Sequence, residues 1–117
     1  MATFKELEQK LGGPLVESEW HRHSNGGGWV KNTASVADTC FVGPNCLVCD
    51  YAKMFDNAKM FDYAEMSNCA VMSDNAEMSG YASMSGGAWM SGSADSNDLM
   101  VGIIVLGIIV WHVIMLR

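Results

Sequence analysis

Positive charge is scarce in this chain: seven Lys and Arg stand against thirteen Asp and Glu, a formal net charge of −6 over 117 residues. The basic residues are scattered, so no basic patch exists to neutralise a phosphate backbone, and a nucleic-acid partner is not expected. Aliphatic side chains are scarce too: between residues 49 and 98 the one Ile, Leu or Val is Val71. Histidine is missing from residue 24 to residue 111, which removes the commonest general base and zinc ligand from that stretch. The first twelve residues are charged and carry no apolar run, so no signal peptide is expected, and the four cysteines are not expected to pair by default.

What is present is a six-residue period. Val30, Val36, Val42 and Val48 lead into Met54, Met60, Met66, Met72, Met78, Met84 and Met90. Four residues after each stands a small one: Ala34, Cys40, Cys46, Ala52, Ala58, Ala64, Ala70, Ala76, Ala82, Ala88 and Ala94. No residue is inserted across these eleven copies. In Asn57-Ala58-Lys59-Met60-Phe61-Asp62, alternation puts Ala58 and Met60 on one side and Lys59 and Phe61 on the other. The spacing predicts strands of about four residues. The chain must then turn at Asp56, Asp62, Asn68, Asp74, Gly80, Gly86 and Gly92, residue types that tolerate left-handed backbone geometry. Strands this short, with a turn every six residues, cannot form two-sided hairpins. They can wind coils of three strands, each coil pairing with the next as parallel β-structure; the eleven copies make roughly 3.7 coils.

Three segments follow. Residues 1–28 are a capping helix and connector. Thr3 and Glu6 have capping-box spacing, Phe4, Leu7 and Leu11 share a face, and Gly12-Gly13-Pro14 ends the helix. A helix of about two turns is marginal alone and is expected to cap the first open coil. A polar connector with Trp20 and Gly26-Gly27-Gly28 then leads to Trp29-Val30. Residues 29–98 are the coils. Residues 99–117 are an apolar tail, uncharged from Leu99 to Leu116.

The aliphatic-x-x-x-Ala pattern resembles the hexapeptide-repeat proteins that fold as left-handed parallel β-helices. The segments Gly-Gly-Gly-Trp-Val, Thr33-Ala34-Ser35-Val36-Ala37-Asp38-Thr39 and Val42-Gly43-Pro44-Asn45 are similar to small hexapeptide proteins of bacteriophages and prophages. The likeness covers residues 26–98, and handedness is implied by it rather than by the spacing. The chain departs from the family in its seven consecutive methionines where Val or Ile is usual, which implies a tolerant, less sharply specified core.

Many proteins of that family are acyltransferases, with a catalytic His on an extruded loop and an acyl donor held between the subunits of a trimer. This chain has no extruded loop. Its histidines, His21, His23 and His112, lie outside the coils, so no enzyme activity and no cofactor are expected. His21 and His23 are expected to be exposed connector residues; a metal would need further ligands. Cys46 and Cys49 form a C-x-x-C, but the register turns Cys46 inward and Cys49 outward. Cys40 fills another inward slot and Cys69 a turn.

Stacking by eighteen sets Asp38, Asp56 and Asp74 at one corner, about 4.8 Å apart, as a weak candidate for a divalent-cation ladder. The same stacking pairs Lys59 with Glu77 and Tyr63 with Tyr81. Outward Phe55, Phe61 and Trp89 are candidates for an interaction surface. The outward serines Ser67, Ser73, Ser79, Ser85 and Ser91 lack the threonines of an ice-binding array. The tail, with Val101, Ile104, Ile108 and Trp111, meets the lower length for a membrane helix, yet its Val and Ile content also suits strands that close the last coil or join copies. The expectation is a non-enzymatic structural or interaction protein, a rigid rod of phage or prophage type. It would form homo-oligomers or be tethered through residues 99–116. A hexapeptide acyltransferase relative, or a binding module using the outward aromatics, is the alternative. It would be membrane-associated if the tail spans a bilayer, and otherwise cytoplasmic or virion-associated.

Overall fold

Each hexad delivers one short strand and one corner, and the corners stack the strands onto three flat faces. A computed structural model describes residues 2–92, together with the backbone of 95–97 and 100–101. The helix α1 spans Phe4–Leu11 and a single 3-10 turn spans Glu17–Glu19. The strands are β1 (Trp20–Arg22), β2 (Trp29–Lys31), β3 (Ser35–Val36), β4 (Phe41–Val42), β5 (Leu47–Val48), β6 (Lys53–Met54) and β7 (Lys59–Met60). They continue as β8 (Glu65–Met66), β9 (Val71–Met72), β10 (Glu77–Ser79), β11 (Ser83–Met84), β12 (Trp89–Met90), β13 (Asp95–Asn97) and β14 (Met100–Val101).

The first face runs β1-β2-β5-β8-β11-β14, the second β3-β6-β9-β12 and the third β4-β7-β10-β13. Every third strand is a neighbour, and all pairings beyond β1–β2 are parallel. The chain is therefore a parallel β-solenoid of about three turns. Its strands are two or three residues long, shorter than the four expected, because each corner takes the flanking residues into its own hydrogen bond. Ala58 N–H donates to Phe55 C=O at 3.3 Å, and Ala64 repeats this with Phe61 at 3.3 Å.

The interior is a column of methionines. Met54, Met60, Met66, Met72, Met78, Met84 and Met90 are fully buried, as are the alanines four residues after each up to Ala88. Each face stacks its own: Val48, Met66 and Met84 lie in register on the first. Burying each such side chain stabilises the fold by about 1.5–3 kcal/mol. Cys40 and Cys46 occupy the inward small-residue slots, fully buried as the register expects.

Eight successive corners, Asp50, Asp56, Asp62, Asn68, Asp74, Gly80, Gly86 and Gly92, have φ between 55° and 66°. The left-handed conformation is costly for most L-residues and least so for Gly, Asn and Asp. The first coil turns differently: its corner residues Asn32, Asp38 and Pro44 are not left-handed.

Two expectations are corrected. Helix α1 has the predicted capping box, Thr3 Oγ1 accepting from Glu6 N–H at 3.1 Å and Glu6 Oε1 from Thr3 N–H at 3.0 Å. It does not lie over the open first coil, however. It packs along the flank of the first face: Leu7 is buried with Trp20, Trp29, Leu47 and Cys49. Lys10 also reaches Glu65, two coils on from Trp29, at 2.6 Å. The outward residues there are apolar, and the helix is what covers them. The connector does the capping instead. Strand β1 pairs antiparallel with β2, and Val42 N–H donates to Asn25 C=O at 3.0 Å. Gly26 and Gly28 let this segment cross so closely that a Cβ on either would strike Val42.

The second correction concerns His23, which is buried rather than exposed and bonds Cys40 C=O through Nε2 at 2.8 Å.

The tail enters the description only at its start. Met100 and Val101 pair in parallel with Ser83 and Met84. Ile104, Ile108 and Trp111, and with them the choice between membrane helix and β cap, lie outside the described residues. No helix among the described residues is long and apolar enough to cross a membrane.

Candidate functional site

Consecutive hexads lie on different faces, so residues six apart in sequence do not share a surface. Phe55 and Trp89 both belong to the second face and are 42% and 53% exposed. They are two coils apart, with Val71 and Ser73 between them. Phe61 belongs to the third face, half-buried against Phe41 with ring centroids 5.4 Å apart. The three aromatics proposed from the sequence therefore do not form one patch. Tyr63 and Tyr81 do stack, 5.2 Å apart and 6° from parallel. Lys59 and Glu77 are register partners, but the ion pairs recorded among the described residues are Lys10–Glu65 and Lys31–Glu19.

The aspartates have a structural task the sequence did not reveal. A left-handed corner turns its N–H away from the carbonyl ladder, and the carboxylate one coil earlier accepts it. Asp50 Oδ2 takes Asn68 N–H at 3.0 Å, Asp56 takes Asp74 at 3.2 Å, Asp62 takes Gly80 at 2.9 Å and Asp74 takes Gly92 at 2.9 Å. Two members of the candidate cation ladder, Asp56 and Asp74, are thus engaged with backbone. Asp38 stands on a different turn, where Thr39 Oγ1 donates to Asp56 C=O. Among the described residues no group of three or more His, Cys, Asp or Glu is placed to hold a metal ion.

His21 and His23 diverge. His21 is exposed, with Nδ1 2.7 Å from Asn32 Oδ1, while His23 is turned into the first coil. The cysteines are all free thiols. Burial pushes Cys40 up, Cys46 up to about 11, and Cys49, aided by Asp50 and Glu65, up to about 12. A thiol held neutral is a poor nucleophile and metal ligand, so the C-x-x-C is packing: Cys46 faces the coil interior and Cys49 faces helix α1.

An opening toward the core lies at the first coil. On that coil, β2 is covered by β1 and β4 by the connector, but among the described residues β3 pairs with β6 alone. Ala34 and Val36 are only partly buried, where their equivalents in the later coils, Ala52, Met54, Ala70 and Met72, are sealed, and outward Ala37 packs beside them. A shallow groove of about 440 Å³ lies there, lined by His21, Ala34, Ser35, Val36, Ala37, Met54 and Phe55. The sequence did not single out this edge, although the position of the repeat's second copy, outside the reach of the connector, was its signal. No family model, curated protein or solved structure matches this chain.

Proposed function

We propose that this chain is a non-enzymatic structural protein: a rigid, left-handed β-helical rod that joins copies of itself through its apolar tail. The observation that carries this is the pairing of Met100–Val101 with Ser83–Met84. With these two residues in the sheet, 102–116 is what remains of the uncharged run. A helix of that length rises about 22 Å, against a hydrocarbon core of about 30 Å. The segment's Val and Ile favour strands. The hexapeptide likeness supports left-handed coils and a phage or prophage setting, and the unbroken register leaves no extruded loop for acyl transfer. A second reading, a binding module using the second face, is favoured by the exposure of Phe55 and Trp89.

Sedimentation velocity of the full chain, beside an Ile104→Lys/Ile108→Lys variant, tests the proposal. Concentration-dependent assembly in the first and monomers in the second support it. Monomers in both, with the full chain floating on lipid vesicles, would refute it in favour of a membrane tether.

A further inference from the structure

The free edge of β3 has the features of an acceptor for an extended strand. In the parallel ladder Ser35 N–H donates to Ala52 C=O at 3.0 Å and Ala37 N–H to Met54 C=O at 3.0 Å. Val36 N–H therefore points the other way, off the end of the rod. Its counterparts on the other two faces are occupied: Val42 N–H donates to Asn25 C=O, and Val30 is the register partner of His21. Val36 alone of the three has no covering strand among the described residues. An unpaired edge beside an apolar groove is a template for strand addition: backbone hydrogen bonds hold the guest and alternate side chains enter the pocket.

The occupant has to be apolar, extended and available. Residues 102–116 of this chain are mostly Ile, Val and Leu, with no Asp, Glu, Lys or Arg. They follow β14, the last strand at the C-terminal end of the first face, whereas β3 is the edge strand at the N-terminal end of the second. The last described strand before the tail thus lies at one end of the rod while the open edge faces outward from the other, an arrangement suited to joining one molecule head-to-tail with the next.

We infer that the groove formed by β3, Met54 and Phe55 receives residues 102–116 of a second copy as an added strand. The inference rests on tail-mediated assembly and names the surface on which it ends.

The test uses the full-length chain. Val36→Pro removes the edge amide without removing a hydrogen bond among the described residues. Ser35→Lys sets a charge at the mouth of the groove through an exposed side chain, and serves if the proline variant fails to fold. Both are expected to weaken association at least ten-fold in sedimentation, with unchanged circular dichroism. In quenched hydrogen exchange, the Val36 amide is expected to be protected in concentrated wild-type protein and to exchange rapidly after dilution to monomer. Assembly that is lost in Ile104→Lys/Ile108→Lys but indifferent to both edge variants, with Val36 exchanging fast throughout, overturns the β3 site and leaves tail-mediated assembly standing. Protection of Val36 in the dilute monomer overturns the second copy as occupant, since the chain's own tail would then fill the groove. A wild-type protein that is monomeric at every concentration, with Val36 unprotected, overturns both.

Discussion

Replacing Asp62 by Asn, Gly and Ala separates the two tasks of a corner residue. Its φ is 59° and its Oδ2 accepts Gly80 N–H at 2.9 Å. An asparagine at this corner keeps both a tolerable left-handed backbone and an acceptor oxygen, so Asp62→Asn is expected within about 0.5 kcal/mol of wild type. Asp62→Gly loses the side-chain bond, about 0.5–1.5 kcal/mol at an exposed site, and regains about 1 kcal/mol of backbone strain. The two nearly cancel. Asp62→Ala loses the bond and keeps the strain, for a net cost of about 0.5–1.5 kcal/mol. The protein carries a natural version of this series, since Gly80, Gly86 and Gly92 take the same φ with no side chain at all. Urea unfolding followed by circular dichroism measures the differences; 1 kcal/mol corresponds to a shift in Tm of about 4 °C for a chain of this size. Asp62→Ala proving as stable as Asp62→Gly would refute the left-handed corner as a constraint on sequence. Asp62→Asn as damaging as Asp62→Ala would refute the acceptor role.

Other outcomes follow from the same geometry. Cys69 is exposed and Cys40, Cys46 and Cys49 are buried, so one thiol should react quickly with a maleimide in native protein and three only on unfolding. Because burial holds Cys46 at about 11 and Cys49 at about 12, the folded state keeps protons that the unfolded chain, with thiols near 8.5, releases. Stability from these groups is complete below about pH 8.5 and falls as pH rises toward 12. Cys49→Ala should flatten the midpoint of urea unfolding between pH 8 and 10. Leu7→Ala, which empties the contact of α1 with Trp29 and Leu47, should cost about 2–4 kcal/mol and shift tryptophan emission to the red while the coil signal survives. Trp20→Phe removes a buried Nε1 that has no partner among the described residues, so it should cost less than about 1 kcal/mol despite the smaller ring.

Where one residue type at one spacing had a single physical solution, the sequence was readable. Inward Met60 and Ala58, left-handed Asp62 and Gly80, and the Tyr63–Tyr81 stack all follow from alternation and an eighteen-residue turn. Relations between the coils and the rest of the chain were harder. The flank position of α1 depends on Trp29, Leu47 and Cys49 being outward and apolar together. That signal was present but emerges only after the chain is wound. His23 was misjudged because its partner, Cys40 C=O, belongs to a different segment. The surface aromatics failed as a set because a hexad step changes face: Phe55 and Trp89 are six hexads apart on one face, while Phe61, one hexad from Phe55, is on another. The carboxylate-to-amide bonds between coils were hidden for a different reason. Asp suits the turn on local grounds, and nothing in one hexad shows what its side chain meets in the next.

Nuclear Overhauser contacts between strands test the winding most directly. Backbone contacts are expected between residues eighteen apart, as in Met54 with Met72, Met60 with Met78 and Met66 with Met84. Contacts whose residue numbers instead sum to a constant, the signature of antiparallel hairpins, would contradict the parallel solenoid and every site built on it.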